Sequence, residues 1–242
     1  MRLSKNVCGW TLAATLFAIV AVAQEPETEE TSVGSVTVEA ASAYVFRGAT
    51  LNRGFVLQPA LEVEALPGLA LGVWANLDLD DNDGALKKGE FSEVDLTVSY
   101  SREFENVSLS LGYAEYLYPG AATDADREVS LSIELPLALS PKLTAYYGVD
   151  GAVRKNLYLQ AEIGHELSLA KDVTLSLGAT VGYAVPDEGD SGFSDYSVSA
   201  GIGLLKYFTL KVAYIGQIDD AVLTDEQHVR ELVASLSATL SF

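Results

Sequence analysis

Residues 172–183 read DVTLSLGATVGY, and the fold turns on the period of this stretch. Val173, Leu175, Leu177, Ala179, Val181 and Tyr183 share one face of an extended chain, while Thr174, Ser176, Gly178, Thr180 and Gly182 share the other. A period of two belongs to a strand, whose successive side chains point to opposite sides; a helix needs apolar residues three and four apart. The alternation recurs in NLYLQAEIGHEL (156–167), REVSLSIEL (127–135), EVDLTVSY (93–100) and FVLQPALEVEA (55–65). No stretch after residue 34 carries a helical period.

Twelve such segments follow one another, near 35–47, 55–65, 69–79, 91–104, 107–118, 127–138, 142–152, 156–169, 172–185, 193–204, 207–217 and 229–242. Their connections alternate in length. Short links such as LPG (66–68), Glu105-Asn106, AKD and Leu205-Lys206 exchange with long polar ones: GATLNRG, DLDDNDGALKKGE (78–90), GAATDAD, PDEGDSG and IDDAVLTDEQH. That segregation is the mark of a barrel with short periplasmic turns and long external loops, and an even strand count puts both chain ends on the short-turn side. A soluble sandwich has no reason to sort its loops in this way. The expected fold is therefore all-β: an antiparallel transmembrane β-barrel of about twelve strands over residues 35–242. Tyr100, Tyr113, Tyr118, Tyr183 and Tyr214 suit an interfacial girdle.

The first 23 residues read as a secretory signal: Arg2 and Lys5, an apolar run over 11–22, and Ala21-Val22-Ala23 before Gln24. Residues 24–34, QEPETEETSVG, are polar and aperiodic and read as a flexible acidic tail. Cys8 is the single cysteine and lies in the signal, so disulfide, zinc-thiolate and redox-thiol functions are not expected of the body. Removing Arg2 and Lys5 from a net charge of −19 leaves −21. Such a chain is not expected to bind nucleic acid, which is recognised through basic surfaces.

SAYVFRGATLNRG (42–54), with Phe46-Arg47-Gly48 as its most specific part, resembles the TorF-like porin family of proteobacteria. So do LGVWANLDLDD (71–81) and VDLTVSYSREFENVSLSLGYAEYLYPG (94–120). The resemblance implies an outer-membrane barrel of the porin type.

The face opposite the apolar one collects acids: Glu39, Glu62, Glu64, Asp78, Glu93, Asp95, Glu128, Glu134, Glu162, Glu166, Asp195 and Glu231. The cations of that parity are mainly Arg47 and Lys211. Carboxylates along a lumen favour passage of cations over anions. The plainer reading makes them solvated interior residues. Arg47, expected at the top of the first strand beside Gly48, suits either a constriction paired with acids or a contact to lipopolysaccharide phosphate.

In DLDDNDGALKKGE, Asp81, Asp83 and Glu90 fit positions of a calcium-binding loop, but Leu79 stands where the first ligand is needed. Asp80, Asp81 and Asp83 are left as a looser divalent contact, and no resident metal or cofactor is expected. His165 falls on the lipid-facing parity while Ser168 and Ser176 fall on the other, so no Ser–His pair forms; His228 ends the last external loop among acids. The function expected is passive diffusion of small polar, cationic solutes across the outer membrane, without covalent chemistry. The alternatives are a non-conducting adhesive or structural barrel and, more remotely, a lipid-active enzyme. Partners expected are outer-membrane lipid, lipopolysaccharide, and the barrel-assembly machinery through the terminal Phe242.

Overall fold

The computed structural model describes residues 33–80, 87–121, 123–219, 222–223 and 230–242. The signal (1–23) and nearly all of the acidic tail (24–32) lie outside these residues, as do Asp81, Asp83 and His228.

Twelve strands close into one barrel: β1 (Gly34–Ala41), β4 (Val56–Leu66), β5 (Leu69–Asp78), β6 (Phe91–Phe104), β7 (Val107–Leu117), β8 (Asp126–Glu134), β9 (Lys142–Asp150), β10 (Leu157–Ala170), β11 (Val173–Val185), β12 (Gly192–Leu204), β13 (Phe208–Gln217) and β14 (Arg230–Ser241). All neighbours are antiparallel. The seam is β1, which pairs β4 on one side (Val36 with Leu61) and β14 on the other (Val36 with Leu240). Closure matters because a chain in hydrocarbon has no water to satisfy an open strand edge. The β1–β14 ladder runs to the last residue, where Phe242 N–H donates to the Gly34 carbonyl at 3.0 Å.

The connections sort by end as expected. Links 67–68, 105–106, 135–141, 171–172 and 205–207 lie at the end that holds residues 34 and 242, here the terminal end. The connections from Ala41 to Val56, Asp78 to Phe91, Leu117 to Asp126, Asp150 to Leu157, Val185 to Gly192 and Gln217 to Arg230 leave and re-enter the wall at the other, the loop end.

Register decides the two faces. Val36, Leu61, Val73, Leu96, Val98, Leu111, Leu131, Ile163, Leu177, Val198, Leu210 and Leu236 point outward, and all are exposed. A continuous apolar exterior of this size is far beyond what a soluble monomer shows, so the outer wall is a lipid-facing surface. Phe104, Tyr207 and Phe242 stand outward near the terminal end, and Phe55, Tyr147 and Phe193 near the loop end. They form the two aromatic girdles of a membrane barrel. Of the expected girdle tyrosines, Tyr100, Tyr113, Tyr183 and Tyr214 face outward. Tyr118 does not: its hydroxyl donates inward to Asp126 at 2.8 Å.

The first segment departs from expectation. A single strand over 35–47 is not what forms; β1 stops at Ala41. Two short strands, β2 (Tyr44–Phe46) and β3 (Ala49–Asn52), then make a separate hairpin that pairs with no barrel strand. Arg47 and Gly48 form its two-residue turn, with φ of 43° and 80°. Positive φ at both central positions is the type I′ geometry that suits the right-handed twist of a tight hairpin. Glycine adopts it freely. Arginine does so at a cost of about 1 kcal/mol, because its Cβ crowds the following carbonyl.

Candidate functional site

The hairpin folds into the barrel, and its contacts show where it lies. The Tyr44 hydroxyl donates to Glu93 on β6 at 3.0 Å, and its ring packs on Trp74 of β5 at 5.4 Å. The tip reaches Glu128 on β8, and the Gly48 carbonyl accepts from Gln217 on β13 at 3.3 Å. Those wall residues lie on the inner face around most of the circumference, so the hairpin crosses the lumen at the loop end. Tyr44, Phe46, Val56, Trp74, Tyr116 and Ala41 form an apolar core there, inside the barrel.

Arg47 is the centre of this arrangement. Both terminal nitrogens of its guanidinium donate to the two oxygens of Glu128, each at 2.8 Å. This is the bidentate fork that matches a planar cation to a carboxylate. Three aromatic rings surround the same group: Phe46 at 4.7 Å, Tyr146 at 4.6 Å and Tyr158 at 4.4 Å from ring centre to guanidinium carbon. The wall holds its own part of the cage. Tyr116 donates to Glu128 at 3.1 Å, and Tyr158 donates to Asp195, which also accepts from Ser194 at 2.7 Å. The strained turn is thus held by a buried ion pair and three ring faces.

Further polar side chains complete the packed zone. Asn52 donates to Asp78 at 2.6 Å, Asn76 donates to Asp78 and to Ser92, and Gln58 donates to Asn76. Asp126 receives Tyr118 and the backbone N–H of Ala152. Asp78, Glu93, Asp95, Asp126, Glu128 and Asp195 are all buried. Arg47 is the cation held among them in the described residues.

Below the hairpin the inner face changes. Thr97, Ser99, Ser130, Ser132, Gly178, Ser199 and Thr239 line it, and the side chains are half-exposed rather than buried. Register places every expected acid on this inner parity. Glu93, Asp95, Glu128, Asp78 and Asp195 sit in the packed zone. Glu62, Glu134, Glu162 and Glu166 sit towards the terminal end, while Glu39 pairs with Gln58 at the edge of the packed zone. Glu64 reaches the turn after β4 and caps the Gly68 N–H at 2.9 Å.

Sequence reasoning named Arg47 and Lys211 as the interior cations; the structure adds Lys142, 3.3 Å from Glu162, and Arg53, 2.8 Å from Glu231. Arg47 itself stands at the tip of an inserted hairpin, not at the top of a wall strand. It is turned away from any lipid headgroup, which removes the lipopolysaccharide reading. His165 faces outward with Nδ1 2.7 Å from the Ala138 carbonyl, while Ser168 and Ser176 face inward. Asp80 is the described member of the acidic loop trio, and no group of three metal-ligating side chains occurs among the described residues.

Tyr44, Trp74, Tyr116, Tyr146, Tyr158, Asn52 and Asn76 were not singled out from sequence. A signal was present: on the polar parity of YAEY, TAYY and LYLQ, large aromatics replace the small residues seen elsewhere on that face. Large inward side chains mark where a lumen is filled.

A closed twelve-strand antiparallel barrel with an apolar outside and a polar, partly filled inside defines a membrane β-barrel of porin-like architecture. The chain belongs to the family described as "Bacterial protein of unknown function (Gcw_chp)", whose profile matches residues 23–240. No specific match to the TorF-like family accompanies it. No curated protein matches the chain in sequence. Among solved structures it is similar to the NanC porin, with 10% identity over 86% of this chain and 100% of that one, at a TM-score of 0.51. It is also similar to a protein from "Unveiling the Mechanism Behind the in-meso Crystallization of Membrane Proteins", with 11% identity over 86% and 83% of the two chains, at 0.50. An outer membrane channel from Pseudomonas putida F1 gives 12% identity, coverage of 90% and 100%, and 0.49. At these identities the likeness concerns the fold alone.

Proposed function

We propose that the protein is an outer-membrane channel for passive diffusion of small polar, cationic solutes, with the 42–55 hairpin as its constriction. The charge of the interior carries this reading. Six buried carboxylates lie around the hairpin against the Arg47 guanidinium, and the inner face below is lined by Ser, Thr and Gly with further acids. Carboxylates in a low-dielectric passage lower the barrier for positive charge and raise it for negative. The likeness of residues 42–54 and 94–120 to TorF-like porins supports the same reading. Lipopolysaccharide around the loop end and recognition of Phe242 by the barrel-assembly machinery belong to the proposal, as does the absence of covalent chemistry. The inward Ser168 and Ser176 and the outward His165 are consistent with that last point.

The test is the reversal potential of the refolded barrel in a planar bilayer under a salt gradient. Cation preference is expected, and anion preference overturns the proposal. A second reading, a non-conducting barrel that binds a partner through its loops, is favoured by the apolar packing of Tyr44, Phe46 and Trp74 inside the lumen. No conductance from either the wild type or a variant lacking residues 43–54 would select it.

A further inference from the structure

The site around Arg47 has two parts of different origin. Glu128, Tyr146, Tyr158 and Tyr116 belong to the wall; Arg47 and Phe46 belong to the inserted hairpin, which shares no strand pairing with that wall. The wall half also has contacts of its own. Tyr116 fixes one Glu128 oxygen at 3.1 Å, Asp195 fixes the Tyr158 hydroxyl at 3.0 Å, and the Tyr146 and Tyr158 rings meet in a tilted contact at 6.1 Å. A carboxylate facing two aromatic rings is a receptor for a planar cation: the fork supplies direction, and the ring faces supply attraction without hydrogen-bond demands.

Its present occupant fits imperfectly. The Arg47 backbone sits at a left-handed φ of 43°, and its buried Nε–H has no acceptor. A cavity of about 70 Å³ adjoins it towards the loop end, bounded by Phe46, Arg47, Glu128, Asn156, Tyr158 and Leu223. That volume gives a small solute a place beside the occupied fork.

The geometry points to a solute site: the Glu128–Tyr146–Tyr158 cage is a binding station for guanidinium-bearing cations, and Arg47 is a tethered occupant that such a solute replaces. The inference rests on the cation-channel reading for the fate of the solute, but its test does not use current. A solute that takes the fork releases the hairpin tip. The lumen then opens for the chemical class that binds, and the selectivity of the channel becomes that of the cage. A compact ammonium makes a poorer competitor, since it cannot present two parallel N–H donors to Glu128.

Two measurements decide it, with methylguanidinium as probe and methylammonium as control. The first uses the full chain carrying Trp10→Phe, which leaves Trp74 as the one tryptophan, in tilted ring contact with Tyr44 of the hairpin. Millimolar methylguanidinium is expected to shift Trp74 emission saturably, and methylammonium is not. A flat response, or an equal response to both ions, makes Arg47 a permanent structural ion pair and overturns the proposal.

The second uses Arg47→Ala, whose empty cage is expected to be refilled by the probe. At ten times its Kd, methylguanidinium should raise Tm by about 4 °C, and the shift should vanish in Arg47→Ala/Glu128→Gln. If Arg47→Ala does not fold alone, refolding yield with and without the probe replaces Tm, and lack of rescue overturns the proposal. Binding is read from fluorescence and stability while charge preference is read from current, so the two proposals fail separately.

Discussion

The loop-end half and the terminal-end half of the lumen are built on the same strands with the same parity, yet they differ in almost every interior property. Along β8 the inward side chains pass from Asp126 and Glu128, 1% and 3% exposed, to Ser130 and Ser132, which are half-exposed. Along β10 they pass from buried Tyr158 to half-exposed Glu162 and Gly164. The wall does not cause this change, because the inward parity of β8 is kept from Asp126 to Ser132 even though its pairing with β9 shifts register between Arg127 and Glu128. An inserted hairpin of about a dozen residues causes it: apolar and hydrogen-bonded packing replaces water wherever the hairpin reaches. A barrel's strand count sets how wide the lumen is, and a loop decides how much of that width is used.

The largest test of this contrast removes the hairpin. Replacing residues 43–54 by a short glycine-serine link should raise single-channel conductance several-fold, because the remaining inner face is small and polar. Unchanged conductance would mean that the constriction lies elsewhere.

Next comes the anchor. Arg47→Ala leaves Glu128 buried with its charge unpaired, a loss of about 3–5 kcal/mol in denaturant-induced unfolding. Lys155→Ala, at the exposed pair with Asp187, should cost about 0.5 kcal/mol or less. Equal effects would show that the packed zone is not packed.

Two glycines on the paired strands β10 and β11 give a finer comparison. A Cβ on Gly182 would collide with the Tyr158 hydroxyl and Asp195, whereas one on Gly164 meets only the Leu177 carbonyl at 3.7 Å. Gly182→Ala should therefore destabilise by about 1–3 kcal/mol through overpacking. Gly164→Ala should leave the unfolding midpoint nearly unchanged.

The smallest effect concerns access alone. A thiol at Ser130→Cys should react readily with a water-soluble methanethiosulfonate, while one at Ser194→Cys, where the native side chain is 2% exposed, should react slowly. Comparable rates would erase the distinction between the halves.

Much of the wall was legible in the sequence. In DVTLSLGATVGY, as in the other long strands, every apolar residue that the alternation put on one face lies on the outer wall, and every interior acid proposed from parity lies on the inner one. The reason is local. A strand's side chains alternate by covalent geometry, and contact with lipid permits almost no polar residue on the outer face. The ends of the acidic 78–90 loop were legible in the same way, as a link between two strands at the loop end.

The hairpin was not legible. Tyr44, Val45 and Phe46 continue the alternation of β1, so the period carries no mark where the wall strand ends. Arg47-Gly48 offered a hint of a bend, and it took the tertiary structure to show a full reversal. Tyr118 was misplaced for a related reason: parity weakens at a strand end, where one residue of slip exchanges the faces.

The sequence by itself determined a closed antiparallel barrel, its strand order, its two faces and the acidic character of its interior, because these follow from period, link length and composition. The tertiary structure alone decided what fills that interior. Whether the fourteen residues between β1 and β4 extend into solvent or fold back among Trp74, Glu93, Glu128 and Tyr158 depends on side chains brought together from several strands. No local pattern records contacts between residues 81 or more positions apart, such as the fork between Arg47 and Glu128.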